Sequence, residues 1–151
     1  MDHSDQRVIV MVTGANSGLG KATALTLAKQ NAHVVMVCRD RNRGELARKD
    51  IMRESGNPHV DLHICDFSGL DNIKRFAQLY NEKYDRLDVL INNAGVITRE
   101  RLLTKEGFEM QFGVNHLAPF LLTNLLLESL QRSKAGRIVT VSSLGHVSCI
   151  W

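Results

Sequence analysis

A stretch of nine residues near the N-terminus has the composition of a phosphate-binding turn: Val12-Thr13-Gly14-Ala15-Asn16-Ser17-Gly18-Leu19-Gly20. Glycines permit backbone angles that other residues resist, so backbone amides in this turn can approach a diphosphate closely. The apolar run 8–12 precedes the turn, and residues 19–28 follow it with apolar side chains at helical spacing. A strand that passes through a glycine turn into a helix presents unpaired N–H groups and the positive end of a helix dipole to an anion.

Two other interpretations of this turn have to be weighed against dinucleotide binding. A Walker-type loop has four residues between its glycines, followed by Lys and then Ser or Thr. Here five residues separate Gly14 from Gly20, and Lys21 is followed by Ala22, which offers magnesium no hydroxyl. A glycine-rich turn without any ligand remains open, but the strand and helix around the turn favour a dinucleotide site.

Four further groups of distinctive residues follow apolar runs along the chain: Cys38-Arg39-Asp40, Cys65-Asp66-Phe67, Asn92-Asn93-Ala94-Gly95 and Ser142-Ser143. In an open parallel sheet, ligands bind outside the carboxyl ends of the strands, near the switch in strand order. All of these groups fall at such ends, as the glycine turn does. Their convergence predicts one ligand site along this edge of the sheet.

The spacing Thr13-Gly14-x-x-x-Gly18-x-Gly20 resembles the coenzyme loop of the short-chain dehydrogenase/reductase family, and the resemblance covers nearly all 151 residues. Asn92-Asn93-Ala94-Gly95 matches the motif at the end of the family's fourth strand, and residues 113–117 contain its helix asparagine. The amino-acid sequences of segments 37–40 and 112–123 are most similar to those of the family's retinol-dehydrogenase branch. The resemblance implies a Rossmann-type, doubly wound parallel sheet, incomplete, with five strands in the order 3-2-1-4-5.

The resemblance also implies which residues bind the coenzyme, with Asp66 at the adenine. They lie in the glycine turn and at the ends of strands two, three and four: Thr13, Gly14, Asn16, Ser17, Gly18, Leu19, Gly20, Arg39, Asp66, Phe67, Asn93, Ala94 and Gly95.

The choice of coenzyme depends on the end of the second strand. An acidic residue there accepts a hydrogen bond from the ribose 2′-hydroxyl of NAD, whereas an Arg favours the 2′-phosphate of NADP. By resemblance, Cys38 fills the acidic position and Arg39 follows, able to grip a phosphate through two charge-assisted hydrogen bonds. We therefore expect NADP. NAD remains possible through Asp40, and Arg39 can also be a solvated charge at a strand end.

Two residues take catalytic roles by resemblance. Ser143 aligns with the serine that hydrogen-bonds the substrate carbonyl, although a Ser-Ser pair alone is more typical of a turn at a strand end. Asn115 aligns with the asparagine that anchors a water of the proton relay. Pro119, four residues later, has no N–H, so the Asn115 carbonyl loses its helical partner; the alternative is a simple proline kink.

The family's acid/base tyrosine, with a lysine four residues later on the helix after strand five, has no counterpart in this sequence. Its only tyrosines are Tyr80 and Tyr84, and neither is followed by Lys at that spacing. A positioned acid/base contributes about 10²–10⁴-fold to rate. We expect residues 1–151 to form a single NAD(P)-binding domain, truncated at its C-terminus and inactive by itself. The alternatives are a non-catalytic or decoy module that pairs with a full-length relative, and an unstable product without function.

The elements that position these residues alternate between strand and helix. Strands are predicted over 8–12, 33–38, 60–65, 87–91 and 137–141. Helices are predicted after the glycine turn, from about residue 42 with Leu46, Ala47 and Ile51 on its apolar side, from Ser68 with Asp71 completing a capping box, and over 107–132 after a mobile-looking charged loop at 98–105. With right-handed crossovers, one face of strands four and five stays bare and strand five is an unprotected edge, which predicts a marginal or partner-dependent domain.

Composition excludes several other classes of protein. A formal charge of +3 is too small to indicate nucleic-acid binding. Three cysteines without short spacing favour a reducing compartment, and the six histidines form no ligand set, so no metal is expected even at His59 and His63. No apolar run has membrane length, and the N-terminus is unlike a signal sequence. We expect a cytoplasmic protein, with peripheral membrane association left open and a small lipophilic alcohol or carbonyl as the substrate implied by the resemblance.

Overall fold

The computed structural model describes residues 7–143, which form five parallel strands in a single sheet of order β3-β2-β1-β4-β5. The strands are β1 (Ile9–Thr13), β2 (His33–Cys38), β3 (Val60–Ile64), β4 (Val89–Asn92) and β5 (Arg137–Thr140). The predicted α/β class and strand order are confirmed. The order reverses at β1, so the carboxyl ends of β1 and β4 flank the crevice where ligands of such sheets bind.

Helices cover the two faces of this sheet. They are α1 (Gly18–Lys29), α2 (Arg41–Ser55), α3 (Leu70–Lys83), α4 (Met110–Phe112), a π turn (Gly113–Leu117), α5 (Ala118–Leu125) and α6 (Leu127–Gln131). The prediction of one continuous helix over 107–132 is wrong. The chain becomes helical at Met110, passes through the π turn just before Pro119, and breaks again at Leu126. A continuous apolar pattern does not reveal where backbone hydrogen bonds change register.

Each face of the sheet has its own apolar core. On one face Met11 and Val35 pack with Phe76, Tyr80 and Leu122 of α3 and α5. On the other face, Val12 and Met36 belong to a cluster with alanines of α1 and with Ile51 of α2. Because β1 and β2 are covered on both sides, their sequences are continuously apolar rather than alternating.

Two predicted helix details are wrong. The helix predicted from Ser68 begins at Leu70, and Gly69 stands at its N-cap position, so the expected capping box is absent at this described helix end. The cap comes instead from a distant loop, where Glu106 Oε1 accepts a hydrogen bond from the Leu70 N–H at 2.8 Å. Leu46, assigned to the apolar side of α2, points into solvent with 65% of its surface exposed. Gly44 is buried on that helix instead, against Leu62.

A charged and aromatic network on Asp61 fastens β3, one edge strand of the sheet, to its surroundings. Asp61 Oδ2 accepts a hydrogen bond from the Tyr84 hydroxyl and lies 3.1 Å from His33 Nε2 and 3.0 Å from Lys83 Nζ. The hydrogen bond from His33, with smaller contributions from Tyr84 and Lys83, holds the pKa of Asp61 well below its usual range, despite partial burial. This carboxylate joins β2, β3 and the end of α3.

The opposite edge, β5, has no comparable cover among the described residues. All four residues of β5 are exposed, with Ile138 at 48% and Val139 at 45%. The backbone pairing with β4 is nevertheless regular and places Ile138 beside Leu90 and Val139 beside Ile91. β5 therefore depends on one neighbouring strand, as the sequence predicted for an edge strand, and the marginal stability expected from it stays a prediction.

Candidate functional site

A cavity of about 460 Å³ lies at the carboxyl ends of the strands. Eleven of the thirteen predicted coenzyme residues line it: Gly14, Asn16, Ser17, Leu19, Gly20, Arg39, Asp66, Phe67, Asn93, Ala94 and Gly95. The other two predicted coenzyme residues, Thr13 and Gly18, lie outside this lining. The structure thus brings together residues that span 82 positions of sequence, from 14 to 95, at the predicted edge of the sheet.

The glycines of the turn are required for different reasons. Gly14 has a left-handed φ of 67°, and a Cβ on it would lie 2.9 Å from the Ala94 Cα. A Cβ on Gly20 would clash with the Gly14 carbonyl and with the Asn93 side chain. Gly18 has a φ of 52° with open space around it, so it serves the backbone conformation alone. The turn is therefore packed too tightly for side chains at two of its three glycines.

The start of α1 has the features of an anion site. Ser17 stands at the N-cap position, and within the described residues its side chain makes no capping hydrogen bond. The first turn of this 12-residue helix contains no acidic side chain. Its N-terminal amides and the positive end of its dipole are thus available to a phosphate in the cavity.

Thr13 lies behind the cavity and fastens β1 to the segment after β4. Its hydroxyl oxygen accepts hydrogen bonds from the N–H groups of Asn93 and Ala94, both at 2.9 Å, and donates to the Ile91 carbonyl at 3.4 Å. The Asn93 amide donates in return to the Thr13 carbonyl at 2.9 Å. In this structure Thr13 supports the wall of the cavity through Asn93 and Ala94 and does not form part of it.

Positive charge gathers where β2 leads into α2. Arg39 and Arg43 line the cavity and are exposed. Asp40 lies between them, but its carboxylate is the N-cap of α2 and accepts a hydrogen bond from the Arg43 N–H at 2.8 Å. Asp40 also lines the cavity, so the end of β2 presents two cationic side chains and one carboxylate that is partly used as a helix cap.

Two buried cysteines lie close to the cavity, but their thiols are unreactive at neutral pH. Burial raises the pKa of Cys38 to about 11. Burial, together with the nearby Asp66 carboxylate, raises the pKa of Cys65 to about 12. Both thiols therefore stay protonated at neutral pH and lack the thiolate that nucleophilic or redox chemistry needs.

Asn115 lies in the π turn and uses its side chain to hold the segment after β4. Its Nδ2 donates to the Val96 carbonyl at 2.9 Å, and its Oδ1 accepts from the Val96 N–H at 2.8 Å. The sequence-based prediction concerned the Asn115 carbonyl and did not include this side-chain pairing. The local distortion is a π turn rather than a simple proline kink, which is a common device at functional sites.

Ser143 is exposed and follows β5, outside the residues that line the cavity. Strand pairing continues past β5, since the Val141 N–H donates to the Asn92 carbonyl at 2.9 Å. Ser143 and Asn115 therefore share the carboxyl edge of the sheet with the cavity, but neither belongs to its wall.

One wall of the cavity comes from residues that the sequence did not indicate. Residues 102–110 fold into a hairpin, with an antiparallel bridge between Leu103 and Glu109 and a hydrogen bond from the Met110 N–H to the Leu102 carbonyl at 2.8 Å. Leu102 and Met110 line the cavity together with Val114. The sequence predicted a mobile loop for part of this segment because charged residues dominate it. The few apolar residues that line the cavity form no recognisable pattern among them.

Other kinds of site have little support in the described part of the chain. Between residues 7 and 143, no three His, Cys, Asp or Glu side chains are placed to hold a metal ion. His63, half of the histidine pair noted above, has its Nε2 3.2 Å from the Tyr84 hydroxyl, and burial lowers its pKa. None of the helices described is long and apolar enough to cross a bilayer.

Comparisons with known proteins agree with this architecture. The family model for short chain dehydrogenases matches residues 8–149. Human retinol dehydrogenase 13 is 50% identical over 139 residues, which cover 92% of this chain and 42% of that protein. Human retinol dehydrogenase 11 is 49% identical over 138 residues, 91% of this chain and 43% of that protein. The chain thus spans about two fifths of the length of these relatives.

Solved structures give the same picture. A short chain dehydrogenase from Shigella flexneri, complexed with NADP, superposes with a TM-score of 0.81 at 30% identity, over 96% of this chain and 62% of that one. A metagenomic short-chain oxidoreductase in complex with NADP gives a TM-score of 0.81 at 31% identity, over 95% of this chain and 65% of that one.

Proposed function

The chain belongs to the short-chain dehydrogenase family, and on that premise we propose that residues 1–151 form one NADP-binding domain of an oxidoreductase. The reaction class is hydride transfer between the nicotinamide and a lipophilic alcohol or carbonyl compound such as a retinoid. The relatives named retinol dehydrogenase support this substrate class.

The observation that carries the proposal is the cavity between the glycine turn and the two arginines. Gly14 and Gly20 leave room for a ligand close to the backbone, where a Cβ would meet the Ala94 Cα or the Gly14 carbonyl. The open N-terminus of α1 suits the diphosphate, and Arg39 with Arg43 suits the 2′-phosphate. Asp66, to which the family resemblance assigns the adenine, lines the same cavity. Structural neighbours that carry NADP support the same choice of coenzyme.

The remaining roles follow from the family resemblance. When bound, the coenzyme supplies or accepts the hydride. The Ser143 hydroxyl donates a hydrogen bond to the substrate oxygen and so polarises the carbonyl. The Asn115 carbonyl accepts a hydrogen bond from a water, because Pro119 has no N–H to donate to it. The Asn115 side chain keeps the segment at Val96 in place.

The proton donor is the missing part. These 151 residues contain no Tyr followed four positions later by Lys. We propose that this chain binds the coenzyme but performs no measurable turnover by itself, since a positioned acid/base contributes about 10²–10⁴-fold to rate.

A second candidate function is a non-catalytic nucleotide-binding module that pairs with a full-length relative. The exposed edge of β5, with Ile138 and Val139 about half exposed, favours it, because an uncovered apolar strand is a template for another chain.

The deciding experiment is a calorimetric titration of the folded protein with NADPH and NADH. Arg39→Ala should weaken NADPH about tenfold to a hundredfold, the effect of losing a charge-assisted hydrogen bond, and should leave NADH nearly unchanged. Lys49→Ala is the matched control, since Lys49 is an exposed cation on α2 outside the cavity. Folded protein that binds neither coenzyme contradicts the proposal. Clear turnover of retinal contradicts its statement on the missing proton donor.

A further inference from the structure

We propose that Glu106 is a positioning residue that sets the affinity of the cavity for the adenosine half of the dinucleotide. It does so by fastening the 102–110 hairpin to the start of α3. The inference rests on the proposed function, because it assumes that a dinucleotide occupies the cavity.

The fastening consists of two hydrogen bonds between distant segments. Glu106 Oε1 accepts from the Leu70 N–H at 2.8 Å, across 36 positions of sequence, and the Lys105 N–H donates to the Ser68 carbonyl at 3.3 Å. Gly69, at the N-cap position of α3, has no side chain to do this. A carboxylate at the start of a 14-residue helix is also favoured by the helix dipole.

Both sides of this contact belong to the cavity wall. Leu102 and Met110, at the two ends of the hairpin, line the cavity, and so do Asp66, Phe67 and Ser68 just before α3. Glu106 and Leu70 join these two parts of the lining without belonging to it. The width of the cavity between the hairpin and Asp66 therefore depends on whether this contact is made.

The hairpin is rigid enough to move as a unit. The Thr104 N–H donates to the Phe108 carbonyl at 2.8 Å, inside the bridge between Leu103 and Glu109. Thr104 is only 8% exposed, and a Cβ on Gly113 would clash with its methyl group. Because the hairpin is held internally and packs on Gly113 at one end, the contact at its tip fixes the orientation of the other end relative to Asp66.

The effect should be confined to one half of the ligand. In the proposed placement the 2′-phosphate lies at Arg39 and the adenine lies at Asp66, two residues before Ser68, whose carbonyl accepts the hydrogen bond from the hairpin. The nicotinamide lies towards Gly95 and Ser143, away from Glu106. Loosening the hairpin should therefore weaken a ligand that consists of the adenosine half alone.

The test measures the dissociation constant of 2′,5′-ADP for three variants by calorimetry. Glu106→Ala should weaken binding about fivefold, the change that corresponds to the loss of one side-chain cap. Glu106→Gln keeps an acceptor oxygen and should bind within about twofold of the wild type. Asp71→Ala is the matched control, since it removes an exposed carboxylate from the same end of α3 without touching the hairpin, and it should have no effect.

The outcomes separate this inference from the proposed function. Wild-type protein that is folded but binds neither NADPH nor 2′,5′-ADP removes the proposed function. Wild-type binding that Glu106→Ala leaves unchanged, or that Asp71→Ala weakens equally, overturns the role of Glu106 alone.

A measurement on the wild type covers the case in which Glu106→Ala fails to fold. Adding NADPH should slow amide hydrogen exchange at Leu70 and Lys105 together, because the bound adenosine half stabilises both sides of the contact. Protection that reaches the glycine turn but neither of these two amides would overturn the inference.

Discussion

The two edges of the sheet, β3 and β5, differ in how they are held. β3 is half-buried and fastened to β2 and the end of α3 by the Asp61 network, while every residue of β5 is exposed. Both strands contain apolar side chains, Val60, Leu62 and Ile64 in β3 and Ile138 and Val139 in β5, so apolar content alone does not explain the difference. Burial of a strand is thus decided by what covers it, and the β3 side of the sheet is covered by described residues of α3 and the turn after it.

The comparison predicts that the loss of unfolding free energy caused by a substitution decreases from the packed side of the sheet towards β5. The largest effect is expected at Gly20→Ala, because the added Cβ would clash with the Gly14 carbonyl and the Asn93 amide. The backbone at Gly14 cannot shift to relieve this clash without a large loss of stability. The variant should lose about 3 kcal/mol of unfolding free energy or more, together with NADPH binding. Urea denaturation and a coenzyme titration measure both. Gly18→Ala, in open space, should cost only about 1 kcal/mol; equal costs would refute the packing argument.

At the β3 edge, Asp61→Asn should cost about 2 kcal/mol, since it removes charge-assisted hydrogen bonds with His33 and Tyr84. Urea denaturation at neutral pH gives the value. Asp71→Asn is the control, an exposed carboxylate paired with Lys74 that should cost less than about 0.5 kcal/mol. A loss at Asp61 no larger than that of the control would show that the two edges are held alike.

The same carboxylate predicts a dependence on pH. Its pKa is well below the usual range in the folded protein, so the unfolded chain takes up the proton first as the solution is acidified. The stabilisation is complete above the unfolded pKa of about 3.9 and is lost as pH falls below it. Between pH 5 and pH 3, the wild type should lose about 1 kcal/mol more than Asp61→Asn. Parallel curves for the two proteins would mean that Asp61 titrates normally.

The smallest effect is expected in β5. Val139→Thr should change the unfolding free energy by less than about 0.5 kcal/mol, because the side chain is already 45% exposed. Val35→Thr places the same hydroxyl in the fully buried β2 and should cost about 2 kcal/mol. Chemical denaturation of the two variants side by side decides the matter. Similar costs would mean that β5 is covered in solution, for instance by a second chain.

The sequence predicted the strands because continuous apolar runs and the glycine turn have few alternative structures, while the order of the strands came from the family resemblance. It also predicted most of the cavity lining, since strand ends converge in any sheet of this order. It failed where structure depends on contacts between distant segments. The sequence around Glu106 does not indicate that this residue caps α3. The apolar pattern of residues 107–132 does not predict the π turn.

The hydroxyl of Thr13, with its two incoming N–H groups and one outgoing hydrogen bond, makes the first loop and the fourth strand behave as one solid part. The loss of conformational entropy in this part of the chain therefore occurs during folding, and ligand binding does not include it. Any adjustment to a ligand is then left to exposed side chains at the rim of the cavity, above all those of Arg39 and Arg43.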